Sequence, residues 1–260
     1  MGKLVALLLL LSYSSFCSAE AVNRTVNLVV GDWEPYTSSQ DNPNYKISET
    51  LVRAAYATQG YQVNIEYHPW SRAYRYAQTD KYDGTFPWFK NSEREALFLF
   101  SSPLFVQKIV FFYHSNSQFD WQEMADLNKY QIGATQEYEV TRLMQSNGVK
   151  LEISNSDDVN FIKLGKHRID AYPAGLERGY YMLGNLLPAM QINQLKVHPK
   201  PIIENDMYVM FSKQNLSRSQ ELKEALRLGI EQLIKSGEYQ KIIDVEKQIN
   251  SSSPRVQSVD

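Results

Sequence analysis

The side chains in this sequence that are best suited to a chemical role are aromatic. The chain contains 17 tyrosines and 4 tryptophans, and such rings either fill a core or line a pocket for a small molecule. Trp33 and Trp88 each follow a predicted strand, where open α/β sheets bind their ligands. The aromatic content is compatible with a binding pocket and with a large core, and it does not separate the two.

Residues that would support metal or nucleophilic chemistry are poorly placed. The four histidines are far apart and have no metal-ligand spacing: His68, His114, His167 and His198. The sequence has no G-x-S-x-G motif, no phosphate-binding loop and no dinucleotide-type glycine pattern. We therefore expect no metal, no cofactor and no catalytic residue.

Thr135 stands between a predicted strand and the predicted start of a helix. At such a place the free backbone N–H groups and the positive end of the helix dipole attract an anion. An ordinary N-cap explains the threonine equally well. The two roles are compatible, and both stay open at this point.

The N-terminus has the pattern of a secretory signal peptide, predicted over residues 1–19. A short positive start precedes the apolar run Leu4–Leu11, and small residues suit cleavage near Ala19 or Ala21. The run is shorter than the ~20 residues that span a bilayer. The single cysteine, Cys17, lies inside this leader. We expect an exported, periplasmic protein whose mature chain has no cysteine.

Charge argues against nucleic acid as a partner. The formal net charge is −2, and the sequence has no basic block or stripe, which binding to nucleic acid or to an anionic membrane would require. About 240 residues follow the leader, enough for one large or two modest domains.

Strand and helix patterns alternate along the chain in two successive series. The first series has predicted strands at 26–30, 61–67 and 82–86 and helices at 48–58 and 71–78. The second follows a β-rich run at 108–113, with strands at 130–134, 149–153 and 169–172 and helices at 136–145 and 157–164. This alternation predicts an α/β protein with largely parallel sheets.

The C-terminal part returns to a strand at 207–212 and then to a helix. Ser217-Arg218-Ser219-Gln220 has the pattern of a capping box. The helix then presents one apolar stripe, formed by Leu222, Leu226, Ile230 and Leu233. A last helix is predicted over 238–249, and the Ser/Pro-rich tail at 250–260 is expected to be disordered.

Four segments carry a resemblance to a known family. They are Trp33-Glu34-Pro35-Tyr36, the stretch from Lys81-Tyr82-Asp83-Gly84 through Arg94 to Phe100-Ser101-Ser102-Pro103, Gly133-Ala134-Thr135-Gln136-Glu137, and Ser236-Gly237-Glu238-Tyr239 followed by Ile242. Together they resemble the extracellular amino-acid-binding proteins of ABC transporters, the family 3 solute-binding proteins with the type II periplasmic-binding-protein fold. Their order and spacing match across almost the whole mature chain.

The resemblance implies an α/β fold of two lobes, each a mainly parallel sheet flanked by helices, joined by two hinge strands. Residues 22–112 and 207–249 would form lobe one and residues 113–199 lobe two, with 200–206 as the hinge return. Such an architecture closes like a hinge on a ligand held between the lobes.

The resemblance also implies how a ligand carboxylate is held. Arg94 matches the family's arginine, which binds the carboxylate through a planar, two-pronged hydrogen bond. The alternative is an ordinary surface arginine, because Glu93 and Glu95 flank it and could pair with it.

Aromatic residues match the walls of the family's pocket. Trp33 and Trp70 would face each other across a flat apolar slot, although either could be a core residue. Trp88 stands where the family commonly has small residues, and its bulk would reshape the cavity. The remaining ligand-binding candidates are Thr135, Gln136, Tyr36, Glu34, Tyr172 and Glu177.

The sequence departs from the family where the ligand ammonium is usually paired. Amino-acid binders carry an acid five positions after the aspartate of an R-x-D-A segment; here that aspartate is Asp170 and the fifth position is Gly175. A buried ammonium without a carboxylate is costly. Either another acid, Glu177 or Glu34, serves, or the ligand is not a standard α-amino acid.

These features predict a monomeric exported protein that captures a small, carboxylate-bearing, amino-acid-like ligand between its lobes. It would deliver the ligand to the membrane permease of an ABC-type importer without changing it. Two alternatives stay open. One is a periplasmic enzyme of the same fold, similar to a dehydratase, with Glu34 or Glu177 as acid or base. The other is a ligand-sensing module for a membrane receptor.

Overall fold

A computed structural model describes residues 24–41, 46–243 and 257–258. The predicted signal peptide and Cys17 lie outside these residues. Within the described part of the chain, no helix combines the length and the apolar character needed to cross a bilayer.

The described strands form one continuous sheet of eleven strands, which divides at the β5–β10 pair into two halves, one in each lobe, called here the first and the second sheet. The first sheet is built from the N-terminal strands and one strand that returns late in the chain. Its order is β2 (Gln62–Tyr67), β1 (Thr25–Val30), β3 (Gly84–Phe89) and β10 (Ile203–Ser212), with the short β4 (Phe98–Phe100) also paired to β10. β1 runs parallel to β2 and β3, whereas β10 is antiparallel to β3. The helices of this lobe are α1 (Ile47–Thr58), α2 (Trp70–Tyr76), α3 (Ser92–Leu97) and α8 (Leu216–Ser236).

β1 is buried on both faces along its apolar end, Leu28 to Val30. Leu28 lies in a core shared with Leu51 of α1 and Leu226 of α8. Val29 points to the opposite face and packs with Ala73 of α2. The predicted apolar stripe of α8 is the face that this core buries.

The second sheet is built from the middle of the chain. Its order is β5 (Phe105–His114), β8 (Ala171–Gly175), β6 (Ile132–Thr135) and β7 (Leu151–Ser154), and β9 (Leu195–Val197) pairs with the end of β5. β6 is parallel to β7 and β8. The helices of this lobe are α4 (Glu139–Ser146), α5 (Asp157–Gly165), α6 (Leu176–Leu186) and α7 (Ala189–Ile192), preceded by a 3₁₀ helix at Met124–Lys129.

Two long antiparallel strands join the sheets. Phe105 to Ile109 of β5 pair with Met207 to Ile203 of β10. From Ile109 onward β5 pairs with β8, so residues 109–112, which the resemblance assigned to lobe one, hydrogen-bond within the second sheet. This pairing favours a division between the lobes nearer residue 107, which we propose in place of 112.

Two helix starts differ from the sequence-based expectation. α4 begins at Glu139 rather than at residue 136, because Glu137 has a positive φ of 65° and Tyr138 is extended. Thr135 is therefore not the N-cap of α4. α8 begins at Leu216, where the side chain of Asn215 accepts a hydrogen bond from the backbone N–H of Arg218. The capping box predicted at Ser217-Arg218-Ser219-Gln220 is wrong, because these residues already lie inside the helix and Asn215 is its N-cap.

The C-terminal segment is only partly described. A helical segment covers residues 238–243, and the rest of the predicted last helix, 244–249, lies outside the described residues. Within the tail that we expected to be disordered, Gln257–Ser258 forms a short strand paired in parallel with β9. Backbone hydrogen bonds to an open sheet edge thus order these two residues, and the rest of 250–260 is not described.

The burial of α8 gives a stability prediction. Leu226→Ala removes a fully buried side chain and should lower the free energy of unfolding by about 3 kcal/mol, through lost transfer energy and the cavity left behind. Leu228→Ala on the same helix, where the side chain is 40% exposed, should cost less than about 1 kcal/mol. Urea denaturation of both variants measures the difference, and equal costs would contradict the assigned orientation of α8.

Candidate functional site

A cavity of about 540 Å³ lies between the two sheets, at the carboxyl ends of several of their strands. The first lobe contributes Trp33 after β1, Trp88 of β3, and the side chains of Trp70 and Arg94. The second lobe contributes residues that follow β6 and β8, among them Gln136, Tyr138, Arg142, Gly175 and Arg178. The joining strands contribute Gln107, Ile109 and Met207.

Two indole rings form one wall of the cavity. The rings of Trp70 and Trp88 pack edge to face, with centroids 5.2 Å apart. Trp70 Nε1 donates to the carbonyl of Asp32 (3.0 Å), and Trp88 Nε1 donates to Thr85 Oγ1 (3.0 Å). A Cβ atom at Gly31 would lie 2.7 Å from the Trp70 ring, so a residue without a side chain is required there. Both rings are held by fixed partners.

Trp33 packs elsewhere. Its ring lies 4.5 Å from that of Tyr36, which in turn stacks on Phe105 at 5.3 Å. Trp33 and Trp70 both border the cavity, and the flat slot between them stays a prediction.

Arg94 is held beside the indole wall with most of its hydrogen-bonding capacity unused. Its Nη1 donates to the carbonyl of Phe89 (2.8 Å), and its Cζ lies 4.8 Å from the centre of the Trp88 ring. Burial lowers the pKa of the guanidinium. The electrostatic effects of Tyr74 and Glu139, which raise this pKa, offset only part of the decrease. Among the residues that the structure describes, no carboxylate lies within ion-pair distance of Arg94.

The flanking glutamates do not pair with Arg94. Glu95 binds Lys90 instead, at 2.8 Å between Nζ and Oε1, and Glu93 is exposed. This arrangement disfavours the surface-arginine alternative, because the guanidinium turns toward the cavity.

Asp157 organises the opposite wall. Oδ1 accepts hydrogen bonds from the hydroxyls of Tyr172 (2.6 Å) and Thr135 (3.1 Å), and Oδ2 accepts from Tyr138 (3.0 Å) and from Arg178 Nε (2.9 Å). Burial, followed by the charge of Asp157, raises the pKa of both tyrosines well above their ordinary range, so both hydroxyls keep their protons. The carboxylate is thus fully occupied by the protein itself.

Side-chain hydrogen bonds cross directly from one lobe to the other. Arg178 Nη1 donates to the carbonyl of Glu34 (2.8 Å), and the hydroxyl of Tyr36 donates to Glu177 Oε2 (2.8 Å). Burial raises the pKa of Glu177, and hydrogen bonds from its own backbone and from Tyr36 offset only part of that rise. These side chains join the lobes beside the cavity.

The structure brings some predicted site residues together and separates others. Trp33, Trp70, Trp88, Arg94 and Gln136 all line the cavity. The remaining candidates lie behind it or beside it, in the two groups of contacts just described: Thr135, Tyr172, Tyr36, Glu34 and Glu177. Their predicted contacts with a ligand stay predictions.

Sequence reasoning missed several polar and charged cavity residues, among them Gln107, Arg142, Asp157 and Arg178. Arg178 had a readable signal, since it lies in the first turn of the helix that follows β8. We missed it because the predicted strand ended at Tyr172, three residues before β8 ends at Gly175. Gln107 had no such signal, because the apolar Val106 is exposed and the polar Gln107 is buried, which reverses the alternation that a sequence pattern would show.

Among the described residues, no group of three or more histidine, cysteine or acidic side chains could hold a metal ion. The chemistry that the cavity offers is therefore recognition by the half-buried guanidinium of Arg94, by neutral hydrogen-bonding groups and by aromatic surface, with the charged side chains of Glu137, Glu139 and Arg142 exposed to solvent at its border.

Comparison with known proteins gives a consistent match. The sequence profile of the family described as bacterial extracellular solute-binding proteins, family 3, matches residues 27–245. No curated protein matches the sequence.

Solved structures of the same fold are numerous, and three of them illustrate the range. Substrate-binding domain 2 of GlnP from Lactococcus lactis, in an open conformation, has a TM-score of 0.68 at 17% identity, covering 86% of this chain and 95% of that one. A histidine kinase sensor domain with similarity to periplasmic binding proteins has a TM-score of 0.65 at 17% identity, covering 85% and 95%. An ancestral arginine-binding protein bound to glutamine has a TM-score of 0.61 at 18% identity, covering 85% and 96%. These similarities establish the type II periplasmic-binding-protein fold.

The Asp157 network gives a second stability prediction. Asp157→Asn keeps the shape but replaces one acceptor oxygen by a donor and leaves the buried part of Arg178 without its counter-charge. We expect a loss of about 3 kcal/mol in the free energy of unfolding, measured by urea denaturation. Glu224→Gln is the matched control, because its ion pair with Arg227 lies on the solvent-exposed surface of α8 and its loss should scarcely be detectable. Similar losses in both variants would contradict the prediction.

Proposed function

The chain belongs to the family 3 extracellular solute-binding proteins of bacteria, and on that basis we propose that it captures a small, carboxylate-bearing, amino-acid-like solute between its lobes. We further propose that it is an exported, periplasmic monomer that hands the solute to the permease of an ABC-type importer. The observation that carries the ligand class is the unpaired guanidinium of Arg94 at the cavity.

Arg94 suits a carboxylate for geometric and electrostatic reasons. A guanidinium has five N–H donors in a rigid fork, and only one bond from the Arg94 side chain, to the carbonyl of Phe89, is formed within the described protein. A ligand carboxylate could accept two parallel hydrogen bonds from the remaining donors. It would also supply the counter-charge that a half-buried cation otherwise lacks.

The aromatic residues supply the second part of the proposed recognition. Trp33, Trp70 and Trp88 line the cavity together with Ile109 and Met207. Fixed apolar walls of this kind bury the carbon part of a ligand. Solutes with an aromatic or aliphatic body attached to the carboxylate therefore fit the cavity best.

The bonds between the lobes support a closing motion around the ligand. Arg178 and Tyr36 bond across the cleft, and a ligand held by Arg94 on one side and by the second lobe on the other would add to these contacts. Closure stabilised by a ligand is the behaviour expected of two lobes joined by a pair of strands.

A sensory role is the second candidate, and it rests on one observation. The histidine kinase sensor domain covers 85% of this chain, and its TM-score is close to that of substrate-binding domain 2 of GlnP. Photocrosslinking of the loaded protein in intact cells would separate the two roles. Recovery of a permease supports delivery, whereas recovery of a kinase supports sensing.

Carriage is distinguished from catalysis by the state of the ligand. Members of the family are solute-binding proteins. The carboxylates of Glu177 and Glu34 accept hydrogen bonds from Tyr36 and Ser38, and neither residue lines the cavity. Mass spectrometry should therefore recover an added ligand unchanged. Conversion of the ligand would establish an enzyme instead.

The role of Arg94 is tested by substitution. In a thermal-shift panel of amino acids, hydroxy acids, N-acyl amino acids and dicarboxylates, at least one carboxylate should raise the melting temperature of the wild type. Arg94→Ala should weaken its binding about 100-fold, the loss expected when a two-pronged ionic hydrogen bond is removed, and Arg94→Lys should restore only part. Arg227→Gln, on the exposed face of α8, is the control. An undiminished shift in Arg94→Ala would sink the proposed role.

A further inference from the structure

Gln107 is a buried polar side chain that opens onto the cavity. It is the third residue of the joining strand β5, is 3% exposed, and lines the cavity. Within the described part of the chain, its side-chain amide has no hydrogen-bond partner. Buried amides are nearly always hydrogen-bonded, so an unpartnered one that faces a cavity is suited to bind a ligand.

Gly175 makes room for this amide. A Cβ atom at Gly175 would lie 3.0 Å from Gln107 Nε2, which is too close unless the amide moves. The absence of a side chain at 175 leaves space for the NH2 group of Gln107 at the border of the cavity. One side chain thus offers a donor and an acceptor at the same place.

Among the described residues that line the cavity, no buried carboxylate is free to pair with an ammonium. Asp157 already accepts four hydrogen bonds, one of them from Arg178. Glu137 and Glu139 also border the cavity but are exposed to solvent. An ammonium beside Gln107 would therefore lose its water without gaining a counter-charge, which costs several kcal/mol.

Neutral groups meet no such cost. A hydroxyl or an amide can both donate and accept, as the Gln107 amide can, and it carries no charge to desolvate. We propose that Gln107, beside Gly175, is a specificity-determining residue that selects carboxylates bearing a neutral hydrogen-bonding group, such as hydroxy acids or N-acyl amino acids, over free amino acids. This inference rests on the proposed function, because it assumes that Arg94 holds the carboxylate.

Matched ligands test the selection. Isothermal titration should compare phenylalanine with phenyllactate and N-acetylphenylalanine, and leucine with 2-hydroxyisocaproate and N-acetylleucine. In each series the wild type should bind at least one neutral analogue 10-fold or more tightly than the amino acid. Tighter binding of the amino acid would overturn the inference.

Substitutions at Gln107 separate this inference from the proposed function. Gln107→Glu places a carboxylate at the same position and should shift the preference toward the amino acid by 10-fold or more. Gln107→Leu should still bind carboxylates but lose the preference for the hydroxy and N-acyl analogues. Melting of the ligand-free variants shows that both are folded.

Three outcomes distinguish failure of this inference from failure of the proposed function. Unchanged preferences in both folded Gln107 variants overturn the inference. Tight, Arg94-dependent binding of the free amino acids overturns it as well, while the proposed function stands. Failure of every carboxylate in both series to bind overturns the proposed function and this inference with it.

Discussion

The antiparallel pairing of β5 and β10 is the constraint on which the rest of the structure depends. Two mainly parallel sheets, each with its own cores, share no other extended backbone connection among the described residues. Because the pairing is made by backbone groups, it fixes the register of the two sheets independently of the side chains. The open carboxyl ends of strands from both sheets then face one space, and the cavity follows from that geometry.

The two walls of this space differ in electrostatic character. On the second lobe, Asp157 and Arg178 neutralise each other and are completed by three hydroxyl groups, so that wall is rigid and internally satisfied. On the first lobe, Arg94 has indole surface on one side but no carboxylate partner. The half-buried cation without a carboxylate partner thus lies on the first lobe, which supports the anion-binding role that we propose for Arg94, whereas the buried charges of the second lobe are already paired.

Much of the fold could be predicted from the sequence. The family resemblance and the α/β class are confirmed, because apolar strands, glycine-ended helices and short motifs are local signals. Helix starts were less readable. The start of α4 depends on the positive φ of Glu137, and the start of α8 depends on Asn215 as the N-cap. In both places the neighbouring residues are equally plausible starts when only the sequence is considered.

The site was readable where a residue follows a predicted strand or belongs to a segment that matches the family, as Trp70 and Arg94 do. Trp33 and Trp88 could be placed at the cavity because the carboxyl ends of strands are the expected binding edge. The bond between Tyr36 and Glu177 joins residues 141 positions apart, and that between Glu34 and Arg178 joins residues 144 apart. No local pattern encodes such contacts, since they arise only when two separately folded lobes meet. The unpartnered state of Gln107 is likewise visible only when all its neighbours are in place.

The joining strands also form the floor of the cavity, through Gln107 and Ile109 of β5 and Met207 of β10. Any change in the angle between the sheets must bend these strands at or near those residues. A solute resting on this floor is thus in contact with the joint itself. The volume of the ligand would therefore determine the angle between the two lobes in the bound state. This effect would depend on the size of the ligand and not on its charge.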